Sequence, residues 1–242
     1  MVGYVSPMEN VVASAKRPYH HGDLRNALLD AGLQILDREG ISAVTLRAIA
    51  ARAGVSHAAP AHHFGHLKGL LTALAAIAFG RLHESIGRSM ESAPPQPIEQ
   101  LRAAGHGYVD FAQSNPGLFR LMFSASLIDR DDPDLRRAAD RAYQQLLDIS
   151  APAAAERGGR SLKDVGAVAM QLWCTVHGFA HLLLEGKIAD PLDGGSPASL
   201  LPDIAGLLLG GPIAEPSTKR ASSTSGTTGA DSKKPRRARR RG

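Results

Sequence analysis

Residues 45–64 read TLRAIAARAGVSHAAPAHHF, and the architecture of the chain hinges on these twenty residues. Thr45 is an N-cap residue, and the spacing of Leu46, Ile49, Ala50 and Ala53 sets small and apolar side chains on one face of a helix of about two turns. Gly54 tolerates positive φ and permits a sharp exit. Only Val55 separates it from Ser56, whose hydroxyl is expected to cap a short element ending near Phe64. Two short helices around a glycine turn have helix-turn-helix spacing. Ala50 and Ala53 allow a close, steep crossing, Val55 fills the junction, and His57, Ala58, Ala61 and His62 point outward, toward a major groove. Arg47, Arg52 and Lys68 flank that surface and can neutralise phosphates, while the helix N-termini aim backbone amides the same way. The same pattern also fits an ordinary helical hairpin inside a core.

On either side of this stretch, apolar spacing of three and four recurs and no convincing alternating strand is present, so the body reads as all-helical. A helix is expected from Asp23 to Gly40, and a longer one marked by Leu67, Leu70, Leu71, Leu74 and Ile77 runs to about Met90. Further helices are expected near Ile98–Ser114, Pro116–Leu127, Pro133–Ser150, Leu162–Glu185 and Pro197–Leu209. Asp132 before Pro133 is an N-cap, and Ser161 with Asp164 resembles a capping box. Residues 1–17 lack any period. Residues 212–242 are Ser, Thr, Gly and Pro followed by a basic run, too polar to bury a core, and both ends are expected to be flexible.

The chain has 242 residues with 43% hydrophobic and 21% charged content, which excludes a small disulfide-stapled scaffold and a disordered polymer alike. Cys174 is the single cysteine and residues 1–21 lack a secretory pattern, so a reducing, cytoplasmic setting is expected. The net charge of +5 is unevenly spread. Residues 1–90 carry 9 Lys and Arg against 6 Asp and Glu, residues 91–211 carry 10 against 15, and residues 212–242 carry 9 against 2. A basic front and tail around an acidic middle point to a polyanion at the ends and a different partner between them.

The stretch from His20 to about Leu82 resembles the DNA-binding domain of TetR/AcrR-type transcriptional repressors. Its most specific pieces are Thr-Leu-Arg at 45–47, Ala-Gly-Val-Ser at 53–56, and His63-Phe64 followed by Lys68 and the leucines. The resemblance implies an N-terminal three-helix helix-turn-helix domain (18–82), followed by a helical effector-binding and dimerisation domain (83–211). It further implies a homodimer that binds a palindromic double-stranded DNA operator and an unknown small-molecule effector, most often as a repressor. Carried over by position, Thr45 would anchor phosphate through its cap, and Arg47 would reach phosphate or a base edge. Ser56, His57, Ala58 and Ala59 would approach the bases, while His62 and Lys68 would hold the backbone. Two positions depart from the family. Ala61 stands where a phosphate-touching tyrosine is usual, and Pro60 is expected to make the first turn of the recognition helix irregular. The family's dimer interface falls on the last two helices, here Leu162–Glu185 and Pro197–Leu209. A short Val-His-Gly stretch at 176–178 resembles the C-terminal domain of one repressor subgroup.

Side-chain type nominates Phe111, Phe119, Met122, Phe123, Trp173, His177 and His181 for an apolar effector pocket with a few polar handles. No membrane span, metal, cofactor or catalysis is expected. The 20 uncharged residues between Asp164 and Glu185 could cross a bilayer, but Gln171, Thr175, His177 and His181 are too polar for lipid. His177 and His181 lack the intervening Glu of a zinc hydrolase, and Cys174 has no charged neighbour to activate it. Gly105 and Gly107 follow no strand, and the aspartates at 129–134 lack the Gly and Glu of a calcium loop. The main rival is a sequence-indifferent nucleic-acid binder that relies on its basic tail.

Seven Lys and Arg within residues 233–241 are expected to add a salt-sensitive attraction to DNA. Deleting residues 212–242 should reduce the slope of log affinity against log salt by about 0.9 for each phosphate the tail neutralises, read from titrations of duplex DNA at several salt concentrations. An unchanged slope would leave the tail a solubilising segment.

Overall fold

The chain folds around a long helix, α4 (Leu67–Glu91), that takes helices from both halves of the sequence against its sides. The computed structural model describes residues 21–159 and 161–188. The order is α1 (His21–Glu39), a 3-10 turn (Ile41–Ala43), α2 (Leu46–Ala53), α3 (Ala59–Phe64), α4, α5 (Pro97–Ser114), α6 (Pro116–Met122), α7 (Pro133–Glu156) and α8 (Leu162–Leu184). No strand occurs among the described residues, and the expected helix at 197–209 lies outside them.

Helix α1 begins two residues before the expected Asp23 and buries Leu28, Ala31, Ile35 and Leu36; Gly40, at φ 82, ends it. Thr45 Oγ1 accepts the Ala48 N–H at 3.1 Å to start α2, and Gly54 closes it in the left-handed conformation at φ 66. Helix α4 is about 37 Å long at 1.5 Å per residue. Leu70, Leu71, Leu74, Ala75, Ala78 and Leu82 form its buried stripe. The expected domain boundary at residues 82 and 83 falls within this helix. One continuous apolar cluster runs from Leu28 of α1 to Phe179 of α8, so the two halves share a core.

Two helix lengths differ from expectation. Helix α6 stops at Met122 rather than Leu127, because Ser124 N–H turns back to Leu121 O and Leu127 N–H to Ser124 O. Serines at 124 and 126 are weak helix formers, and the segment is pinned instead through Asp129 N–H, which donates to the buried Thr72 Oγ1 at 2.9 Å. Helix α7 runs on to Glu156, past Pro152. There the missing backbone bond is outweighed by burial of Ala153 and Ala154, both with high helix propensity. Asp132 caps α7 through the N–H groups of Asp134 and Leu135, and Ser161 and Asp164 form the capping box of α8.

Gly107 has a packing explanation, while Gly105 lies at the cavity wall. A Cβ at Gly107 would lie 2.7 Å from Ser85 O and 2.8 Å from Ile86 Cα, and Ser85 Oγ donates to Gly107 O at 2.9 Å, so α5 crosses α4 at backbone contact. Gly107→Ala should therefore lower unfolding stability by about 1–3 kcal/mol through forced separation of the two helices, measured by urea denaturation. Gly80→Ala, at a site with open space around it, serves as the control.

Candidate nucleic-acid interface and effector cavity

Helices α2 and α3 meet as the spacing at 45–64 requires. Ile49 and Ala50 are fully buried, Val55 packs on the core, and Val55 N–H donates to Ala50 O at 3.0 Å to complete the turn. Ser56, His57, Ala58, Ala61 and His62 are all exposed, Ala59 is half-buried, and Arg47, Thr45 and Lys68 are exposed around them. The side chains inferred for DNA are thus exposed apart from the half-buried Ala59, and a methyl group stands at Ala61 where the resemblance led one to expect a tyrosine.

Three details are corrected. Ser56 does not cap α3. The helix starts at Ala59 after a turn in which Ala59 N–H bonds to Ser56 O at 3.0 Å, and its N-cap, Ala58, offers no side-chain bond. Pro60 therefore falls in the first turn, where its missing N–H leaves no backbone bond unmade; its buried ring anchors α3 to the interior. The irregular stretch precedes the helix instead of distorting it. Arg52 is held by Glu39 at 2.6 Å, which ties α2 to the end of α1 and removes this guanidinium from the free cations of the face.

The sequence reading missed His66. Its Nδ1 accepts the Gly69 N–H at 3.0 Å and caps α4, and a Cβ at Gly69 would fall 2.2 Å from Phe64 O. Histidine is not a usual N-cap, so only the pairing with a tight glycine one turn beyond Gly65 hinted at it. Arg25 of α1 lies over the Phe64 ring at 5.3 Å and holds the C-terminal end of α3.

Behind this unit, α4, α5, α7 and α8, together with the end of α6, enclose a cavity of about 490 Å³. Its walls are mostly apolar, with Phe79 and Ile86 from α4, Tyr108 from α5, Tyr143 and Leu146 from α7, and Trp173 from α8. Of the seven pocket residues inferred from sequence, Met122, Phe123 and Trp173 line it. Phe111, Phe119, His177 and His181 do not. Phe111 and Phe119 are core side chains, Phe119 at 0% exposure. Along α8 it is Leu172, Trp173, Thr175 and Val176 that face the cavity, and one further step of about 100° turns His177 toward α5 and α6. Tyr108, Arg102 and the α7 wall went unnoticed, because an apolar stripe shows that a helix face is covered without showing by what.

His177 stands directly behind the wall. Its Nδ1 shares a 2.7 Å hydrogen bond with Tyr108 Oη, its ring lies 4.4 Å from that of Phe123, and the His181 ring meets it edge-on 4.6 Å away. Burial, reinforced by the charge of His181, holds the His177 imidazole below the ordinary histidine pKa. Burial likewise pushes the Tyr108 hydroxyl well up, against a smaller opposing effect of the Trp173 indole. A neutral imidazole and a protonated phenol therefore face each other. Among the described residues no group of three His, Cys, Asp or Glu is placed to hold a metal ion. Helix α8 is long and apolar enough by composition to cross a membrane, yet it packs on α5 and α7 here.

Comparison with known proteins agrees with this geometry. Residues 28–74 match the family model for bacterial regulatory proteins of the tetR family, and residues 101–200 match the tetracyclin repressor-like C-terminal domain. The chain is 33% identical over 123 residues to the HTH-type transcriptional regulator BetI of Stenotrophomonas maltophilia, a match covering 51% of this chain and 62% of that protein. It is 30% identical over 156 residues to BetI of Paraburkholderia xenovorans, covering 62% and 79% respectively. A solved structure of a protein of unknown function from Rhodococcus sp. RHA1 superposes with a TM-score of 0.69 at 30% identity, over 82% of this chain and 100% of that one. The chain belongs to the tetR family of bacterial regulatory proteins.

The depressed pKa of His177 makes stability depend on pH with a definite sign. The unfolded chain takes up this proton near the ordinary value of about 6.5 and the folded chain only at lower pH, so the stability present above that value is lost as pH falls through it. Urea unfolding at pH 7.5 and 5.5 should show a smaller acid-induced loss in His177→Gln than in the unmodified protein.

Proposed function

We propose that the protein is a DNA-binding transcriptional regulator, a ligand-responsive repressor that grips a palindromic operator as a homodimer in the cytoplasm. The observation that carries this reading is the exposure of Ser56, His57 and Ala58 in the turn before α3 and of Ala61 and His62 on it, framed by exposed Arg47 and Lys68 and by the Thr45 cap. A helix in that position reads bases with its outer side chains while the flanking cations and amides hold phosphate. A twofold pair would place two such helices about 34–36 Å apart, one turn of DNA.

Dimerisation through α8 and residues 197–209 accounts for the apolar side chains of Met170 and Leu182 that α8 leaves in the open. Two copies burying this face would form a helical interface around a twofold axis.

Effector control follows from shared elements. Helix α4 passes from the recognition unit to the cavity wall. Helix α6 touches α1 at one end, where a Cβ on Gly117 would come within 2.9 Å of Leu36 O, and borders the cavity at the other through Met122. A ligand that binds better to one arrangement of α4 and α6 shifts the spacing of the two recognition helices by that differential affinity and no more.

The test is selection of bound sites from random duplexes followed by footprinting. A palindromic footprint that survives deletion of residues 212–242 supports the reading; uniform protection without sequence preference overturns it in favour of a sequence-indifferent binder. Lys68→Ala should weaken binding to all sequences alike, whereas His57→Ala should change the preferred site, with an effect of about 1–3 kcal/mol at the bases it faces. Reversed outcomes would interchange the roles assigned to these two side chains.

A further inference from the structure

Two polar side chains are buried among the described residues, Thr72 on α4 and Ser150 on α7. Ser150 Oγ bonds back to Leu146 O of its own helix at 2.7 Å, the ordinary fate of a hydroxyl inside a helix. Thr72 also reaches a second element. Its Oγ1 donates to Lys68 O at 2.7 Å and accepts the Asp129 N–H at 2.9 Å, from a residue 57 positions along the chain. Both roles are forced, since a backbone N–H only donates and a carbonyl only accepts, and bonds joined through one hydroxyl in this way strengthen each other.

Each end of this hydrogen-bonded line meets a site. Asp129 stands between Ile128 and Arg130, both of them in the cavity wall. Ile128 and Arg130 lie between α6 and α7, so this part of the wall is not held by a helical ladder of backbone bonds. Lys68 lies in the first turn of α4. That turn has no slack against the recognition helix, because a Cβ at Gly69 would fall 2.2 Å from Phe64 O, and His66 caps it through the Gly69 N–H.

Resting on the regulator reading above, we propose that Thr72 is the positioning residue of effector control: its hydroxyl ties the wall segment around Asp129 to the first turn of α4, and a ligand that displaces Ile128 and Arg130 draws the Asp129 N–H away and frees the turn that sets Lys68 against phosphate. The bond is made or unmade, and a ligand acts on it by favouring one of the two states. Undoing it strands no polar group. Residue 129 is exposed, so its N–H can turn to water, and Thr72 Oγ1 keeps its bond to Lys68 O. Valine at position 72 would keep the shape of the side chain and delete the tie, whereas serine would keep the tie.

A ring built into the cavity takes the place of a ligand. Ala139 lines the cavity from α7, and Ala139→Phe fills part of its volume of about 490 Å³. The affinity of the full chain for the duplex selected from random sequence is then measured, with and without Ala139→Phe, on Thr72, Thr72→Ser and Thr72→Val backgrounds. Filling the cavity should weaken binding by about fivefold or more with Thr or Ser at position 72 and by less than about twofold with Val. Hydrogen exchange gives a second reading that leaves Thr72 in place. Ala139→Phe should speed exchange of the Asp129 amide by about fivefold or more, with no matching change at Ala48, whose N–H is held by the Thr45 cap. Equal weakening on all three backgrounds, no weakening in the Thr72 protein, a serine variant that behaves like valine, or unchanged exchange at Asp129 would each overturn the assignment. A protein that selects no duplex loses the regulator reading while the exchange result stands, and one that selects a duplex yet responds alike on every background loses only the role of Thr72.

Discussion

Leu70, Leu74, Ala75 and Ala78 line one side of α4, and the other elements are placed by what they set against that stripe. Helices α1 and α3 close on its N-terminal portion, α5, α6 and α7 on the rest. Because the apolar cluster is continuous from Leu28 to Phe179, a change in how α5 or α7 sits on α4 is felt in the same close-packed interior that orients α1. Backbone contact at Gly107 on one side of this helix and at Gly117 against Leu36 on the neighbouring pair leaves little slack between them. A packed interior of this kind moves between discrete arrangements rather than yielding smoothly, which is the property a ligand-controlled regulator needs.

The recognition unit is built economically. Thr45 and His66 cap α2 and α4, Gly54 and Gly65 turn the chain at positive φ, and the buried ring of Pro60 holds a six-residue helix that has little stability of its own. With anchoring done by the inner side, the outer row carries only small side chains and imidazoles. That surface is shallow, with the two histidines and the exposed Arg47 and Lys68 as its largest polar side chains.

The cavity and the polar pair behind it divide two tasks. Tyr108 belongs to the wall, while its hydroxyl is committed to His177, whose ring meets that of His181 edge-on. The wall is thus kept apolar by pairing its phenol with a group outside it.

Local features were legible in the amino-acid order alone. The helix-turn-helix, the caps at Thr45, Asp132 and Ser161, the stop at Gly54 and the face of His57, Ala58, Ala61 and His62 all follow from residues within one or two turns of each other, where spacing and backbone preference act directly. The start of α3 escaped because Ser56 and Ala58 compete for the same role, and the turn between them is set by burial of Pro60. Long-range packing was needed to fix the lengths of α6 and α7, the grip of Glu39 on Arg52, and which side of α8 faces a cavity. His177 and Phe119 have the side chains of a ligand pocket and were expected in one, yet they lie outside it, because the direction a helix face takes is set by partners distant in the chain, which periodicity does not name.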